Sequence, residues 1–331
     1  MGKGGRPGLG WPPLFCHHQV VIITVTLNAA LDVTYRVPSL RPHTTHRVVD
    51  IAERPGGKGL NVARVLADLG HRAVVTGFAG GTAGDELRRR LAAVTRADLL
   101  TDALVPTAGA TRRTVGVVDA ATGDTTMFNE PGPTVSPAEW SSFVDVYRGL
   151  LASGEAGAVA LCGSLPPGVP VGAYADLVRE ARSAGVFVLL DTSGEPLRRG
   201  LAARPDLIKP NVDELAGLTG FSEPARAARD ARRRGARAVA ASLGAEGMLA
   251  VSEEGVWQAL PPGRLAGNPT GAGDSAVAGL LSGVVEGLPW PRRLARAVAL
   301  SAATVVAPAA GEYDRAVYEE LLPQVKVAAA G

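Results

Sequence analysis

Short apolar runs rich in β-branched residues alternate along this chain with segments of helical periodicity, and that alternation leaves few folds open. The run from Val20 to Leu27 is a continuous apolar stretch of the kind buried on both faces of a parallel sheet. Leu60, Val62, Ala63, Val65, Leu66 and Leu69 then recur at helical spacing, and Gly70 supplies a stop. Further strands are predicted at 73–78, near 99–105, and at 158–162, 186–190, 207–209 and 238–242. Helices are predicted at 85–94, 137–152, 171–184, 212–218 and 225–234, and the chain reads as helical from Gly271 onward. This succession predicts an α/β fold, with a mainly parallel sheet covered by helices on both faces. Two β-like stretches, 33–54 and 112–129, have no helix directly after them. The second contains a hairpin turn at Asp119–Asp124. Both are expected to leave the main sheet and form a small β lid over the site.

Composition narrows the function classes. A net charge of +2 implies no nucleic-acid-binding field. The hydrophobic content of 46% with 20% charged residues is that of a folded chain. The stretch 156–175 is long enough to span a membrane, but Gly163, Pro166, Pro167, Gly168 and Pro170 break it. Two cysteines give no disulfide framework, which suits a reducing cytoplasm. The five histidines and two cysteines show no metal-ligand spacing, and no serine sits in a G-x-S-x-G elbow. Residues 1–19, rich in glycine and proline, are expected to be a flexible extension. A single domain is expected over 20–325, with 326–331 as a tail. Arginine far outnumbers lysine, so Lys58 and Lys209 stand out within motif-like segments.

The segment Asn268-Pro269-Thr270-Gly271-Ala272-Gly273-Asp274-Ser275 carries the clearest chemistry. Its small residues let backbone N–H groups approach an anion closely. The Ala276–Leu281 run that follows has no strong breaker, so the turn opens a helix whose first amides and dipole favour negative charge. Asp274 is placed there as a carboxylate available as a base; an ordinary loop capped by an acid is the plainer reading. A second glycine-rich turn, Arg54 to Ala63, is neither a Walker A loop nor a dinucleotide fingerprint, since Gly59 stands where Ser or Thr is needed and the glycine spacing fails. Its amides and Asn61 suit the hydroxyls of a small polar ligand. Asp32, just past the first strand, is placed where open α/β sheets bind ligands, or else caps a turn. Asn211 and Glu214 stand three apart at a helical start. That spacing suits water around Mg²⁺ or contact with phosphate, and equally a capping box. Ser242 and Gly244 close a later strand.

Taken together and in this order, these segments resemble the PfkB (ribokinase-like) carbohydrate kinases from about Val20 to about Leu322. Gly56–Ala63 looks like the N-terminal signature of that family and Thr270–Asp274 like its C-terminal one, about 210 residues apart, with Lys209-Pro210-Asn211 and Ser242-Leu243-Gly244 between. Thr26–Asp32, Lys58, Phe128–Gly132 and Gly163–Gly168 resemble the phosphosugar branch, which contains 1-phosphofructokinase, the minor type of 6-phosphofructokinase and tagatose-6-phosphate kinase. Ala29 stands where the branch usually has proline, and Asn268-Pro269 is closer to the tagatose-6-phosphate kinases.

The resemblance implies Asp274 as the base, with Gly271, Ala272 and Gly273 supplying amides to the transferring phosphoryl. It implies Asp32, Gly57 and Asn61 on the sugar, and Arg47 and Arg112 on the phosphate the sugar already carries, with Lys58 and Ser164 close by. Lys209, Asn211, Glu214, Ser242 and Gly244 are implied around ATP, with Asn211 and Glu214 organising Mg²⁺ through water. The activity implied is ATP-dependent phosphorylation of a phosphorylated ketohexose in the cytoplasm, by a homodimer paired through the β lid, with no nucleic acid or membrane as partner. A kinase of an unphosphorylated sugar or nucleoside is the alternative, which would leave Arg47 and Arg112 without a ligand. A non-catalytic sugar-binding protein on the same fold is another, which would leave Asp274 without a role.

Overall fold

All six residues of β1 (Val21–Thr26) are buried, and alternate side chains go to opposite sides of the sheet. Ile23 and Val25 join one hydrophobic core and Ile22 joins another. The chain continues through β2 (Ala30–Val37), β3 (Asp50–Gly56), α1 (Lys58–Asp68), β4 (Arg72–Ala79), α2 (Gly81–Leu91) and β5 (Leu100–Pro106). Then follow β6 (Arg112–Asp119), β7 (Thr125–Asn129), α3 (Pro137–Ala152), β8 (Ala156–Cys162), α4 (Ala173–Ser183), β9 (Phe187–Asp191) and α5 (Gly194–Ala202). Next come β10 (Leu207–Ile208), α6 (Val212–Thr219), α7 (Pro224–Arg234), β11 (Ala238–Ser242), β12 (Met248–Val251) and β13 (Val256–Leu260). The chain closes with α8 (Ala272–Val285), α9 (Trp290–Val305), α10 (Arg315–Leu321) and β14 (Lys326–Ala329). The structure, a computed structural model, describes residues 20–263, 265–307 and 312–330. The expected extension at 1–19 lies outside the described residues.

The main sheet has ten strands in the order β14-β13-β12-β11-β10-β9-β8-β1-β4-β5. From β5 to β11 every pair is parallel, and β12, β13 and β14 add an antiparallel edge. Side chains of α3 to α7 fill the core on one face, and those of α1, α8, α9 and α10 the core on the other. A second sheet of four strands, β3-β2-β6-β7, stands apart from it. Leu31 and Val33 of this small sheet pack against Ala83 of α2. The two stretches read as a lid are therefore one sheet, and the Asp119 turn is the hairpin joining β6 to β7. No helix among the described residues is long and apolar enough to cross a membrane.

Strands β12 and β13 have no counterpart in the sequence reading, and three further features differ. Helix α2 begins at Gly81, not at 85, because Gly84 packs where a Cβ would lie 3.0 Å from Ala79 and Thr111; the glycines that permit this contact read as loop. Helix α5, between β9 and β10, has no counterpart among the helices expected from the sequence. Residues 326–329, assigned to a tail, pair with β13 as the sheet's edge strand.

Candidate active site

Five parallel strands deliver their carboxyl ends to one crevice. Asn28 follows β1, Ser164 follows β8, Asp191 ends β9, Lys209 follows β10 and Ser242 ends β11. From β1 the chain builds outward through β4 and β5 on one side and through β8 to β11 on the other. Ligands of open α/β sheets bind where the strand order diverges in this way.

Helix α8 starts from Gly271, whose φ of 87° lies in the left-handed region that glycine adopts without strain. The turn before it is closed by Thr270 N–H to Asn268 Oδ1 at 3.0 Å and by Ala272 N–H to the Pro269 carbonyl at 3.1 Å. The Ala272 N–H, expected to be offered to a phosphoryl group, is thus spent within the turn. No side chain caps the helix. Asp274, in the first turn, is 7% exposed, and its Oδ2 accepts a hydrogen bond from Asn61 Nδ2 at 2.9 Å. Burial and the neighbouring Asp191 push its carboxyl up to about 6, against the pull of Asn61, Lys58 and Lys209.

Asp191 is a member of the site that the sequence reading missed. Its side chain is 1% exposed and lies 3.3 Å from Lys58 Nζ through Oδ2 and 3.5 Å from Lys209 Nζ through Oδ1. Burial opposes the charge on Lys58, but Asp191 and Asp274 outweigh it and hold the ammonium above the usual lysine range. Lys209 Nζ stands 3.5 Å from where a Cβ on Gly273 would be, so a buried cation faces the first turn of α8. Tyr174 donates to the carbonyls of Cys162 and Gly163, and Thr192 donates to Gly163, tying the ends of β8 and β9 together. Asp191 directly follows the predicted strand 186–190, a position shared by many turn residues.

On the other side of the crevice, Asp32 of β2 lies against Gly56, where a Cβ would fall 2.1 Å from the Asp32 carboxyl carbon. Any larger residue would displace that carboxylate. Burial pushes Asp32 up to about 6, opposed by the Thr114 hydroxyl and the charges of Arg112 and Arg64. Arg112 donates to the Asn28 carbonyl and to Thr114 Oγ1, each at 3.1 Å. Asn28 Nδ2 in turn donates to Ser164 Oγ at 3.1 Å. Asp32, Arg112 and Ser164 are thereby joined through Asn28 and Thr114. Gly57, Lys58 and Asn61 arrive together at the start of α1, where Gly57 has a φ of 111°. Arg47 is exposed in the 38–49 connection between β2 and β3. A cavity beside the site is lined by Ser164, Leu165, Pro166, Thr192, Ser193 and Pro196, among others, and contains neither Asp274 nor Lys58.

Asn211 and Glu214 form the capping box of α6: Glu214 N–H donates to Asn211 Oδ1 at 2.8 Å, and Asn211 N–H donates to Glu214 Oε2 at 2.9 Å. Asn211 also bridges to Ser242, which brings the end of β11 beside it. Gly244 follows in a tight turn with a φ of 61° and open space where a side chain would be. The box leaves Glu214 Oε1 outside its hydrogen bonds. Among the described residues no group of three or more His, Cys, Asp or Glu could hold a metal directly. This donor set fits a hydrated Mg²⁺ carried mainly by phosphates, which is how that ion is commonly held.

The comparisons with known proteins agree with this geometry. The profile of the pfkB family of carbohydrate kinases matches residues 19–314. Over 294 residues the chain is 41% identical to a 1-phosphofructokinase of Rhodobacter capsulatus, covering 87% of this chain and 92% of that protein. The structure of Escherichia coli phosphofructokinase-2 in complex with fructose-6-phosphate superposes with a TM-score of 0.82 at 29% identity, over 92% of this chain and 99% of that one. A possible 1-phosphofructokinase of Thermotoga maritima gives a TM-score of 0.79 at 25% identity, over 94% and 100%. The matched residues include both glycine-rich turns and every strand end that builds the crevice, and the chain belongs to the PfkB family of carbohydrate kinases.

Proposed function

We propose that this protein transfers the γ-phosphoryl group of ATP to a hydroxyl of a phosphorylated ketohexose, giving a bisphosphate and ADP. The observation that carries the reading is Asp274, buried at the start of α8, held by Asn61 and faced by Lys58 and Lys209. The acceptor hydroxyl loses its proton to Asp274 as its oxygen bonds to the γ-phosphorus and the bond to ADP breaks. A carboxyl raised by burial takes that proton more readily than an exposed one. Phosphoryl transfer needs positioning and charge stabilisation more than covalent help. The first turn of α8 and the two lysines supply both. Mg²⁺, when bound with ATP, neutralises phosphate charge, with Asn211 and Glu214 placed to orient its water.

Arg112, Lys58 and Ser164 give the sugar side a cationic, hydrogen-bonding character that suits a phosphate already on the substrate. The similarity to a 1-phosphofructokinase favours fructose 1-phosphate among the candidates. An ADP-release assay against fructose 1-phosphate, fructose 6-phosphate, tagatose 6-phosphate and the free hexoses tests this. A free hexose with the highest kcat/KM would overturn the phosphosugar assignment while leaving a kinase. The small sheet and the connection just before β3 expose Val49, Ile51, Met127 and Phe128 at 63%, 60%, 40% and 59%. We assign these residues to a homodimer contact between two lids.

A further inference from the structure

Asp191 has no task in the reaction just described, yet it faces charged or titratable groups from every element around it. These are Lys58 of α1, Lys209 after β10, Asp274 of α8, Cys162 of β8 and Tyr174 of α4. Its two oxygens are divided between the lysines, Oδ2 to Lys58 at 3.3 Å and Oδ1 to Lys209 at 3.5 Å. Oδ1 is buried and makes no hydrogen bond. It therefore attracts Lys209 by charge alone and leaves that ammonium's three N–H donors to other acceptors. The sugar half of the site holds Lys58 and the nucleotide half holds Lys209, so a single carboxylate stands behind both.

We propose that Asp191 is a positioning residue that holds Lys58 and Lys209 on either side of Asp274, so that both ammonium groups meet the transferring phosphoryl without rearranging. The inference rests on the phosphosugar-kinase reading. Without Asp191 the half-exposed Lys58 and the buried Lys209 would lose the carboxylate that faces both, and Lys58 would be free to turn toward water. Donors fixed in advance toward developing charge are the main source of electrostatic catalysis.

The test compares Asp191→Asn, which keeps shape and an acceptor oxygen but removes the charge, with Asp191→Glu, which keeps the charge. Both are assayed on the substrate that the wild type turns over, so failure of the kinase reading shows in the wild type and failure of this one only in the variants. Asp191→Asn is expected to lower kcat at saturating substrates by about tenfold or more, the scale of losing fixed electrostatic support. The same variant should move the acid limb of the kcat/KM profile to lower pH, because a negative charge beside Asp274 is gone. Asp191→Glu should keep more of kcat and leave the limb in place. A kcat in Asp191→Asn within about threefold of wild type, an unmoved limb, or equal losses in the two variants would each overturn the proposal.

Discussion

At Asp274 stability and the proposed catalytic role pull in opposite directions. Its carboxyl, ordinarily near 3.8, is pushed up to about 6, so ionising it works against folding. That cost is absent below the unfolded value, grows as pH rises toward the folded value and is complete above it. A shift of this size corresponds to about 3 kcal/mol. Asp274→Asn should therefore raise the unfolding temperature at pH 8 by several degrees and by less at pH 4.5, as calorimetry at the two pH values would show. The same substitution should lower kcat roughly 10²–10⁴-fold by removing the proton acceptor. A variant with wild-type kcat would show that Asp274 is not the base. Arg112 makes a second prediction. Charge-assisted bonds are worth about 1.5–3 kcal/mol each, so Arg112→Met should raise KM for the phosphosugar about tenfold or more. KM for ATP should hold, and a parallel rise in both would place Arg112 in the scaffold instead of on the phosphate.

At the scale of elements, the junction of α8 and α9 offers a test of packing. A Cβ on Gly279 would lie 2.8 Å from Ala297 Cα, so Gly279→Ala must push the helices apart. A loss of about 1–3 kcal/mol is expected, read as a lower denaturation midpoint with kcat per folded molecule unchanged. The lid strands behave differently. Hydrogen exchange over 33–54 and 113–129 should slow when the phosphosugar binds, because water must be kept from the transferring phosphoryl. Unchanged exchange at saturation would remove the lid role. Parallel strands and their helices were legible in the sequence because burial on both faces writes long apolar runs, as in β1 and β8. The antiparallel strands β12, β13 and β14 were not, since β13 and β14 are only partly covered and carry no continuous apolar run, and β12 is only four residues long. Asp274, Asn61 and Lys58 were legible from glycine-rich turns next to helices. Asp191 was not, because a single acid after a strand has no pattern around it and takes its meaning only from two lysines distant in the chain. The Asn211 and Glu214 spacing was legible as two alternatives, and the fold realises the cap while leaving one carboxylate oxygen for water.

For the whole molecule, the first consequence is assembly. Ile51→Asp should reduce the apparent mass in sedimentation from two chains toward one if the small sheets pair. No change in mass with an intact fold would place any dimer contact elsewhere. The second consequence follows from the long burial of α8, whose residues from Asp274 to Gly283 are all buried. If Asp274 is the base, as proposed, it is fixed to such a helix and cannot move to meet different sugars. On the proposed assignment, the reactive group is locked in the core, while much of the sugar side comes from the small sheet and its connections. Grafting 30–56 and 112–131 from a relative should therefore shift sugar preference toward that relative's, with Lys58, Ser164 and Asp274 left in place.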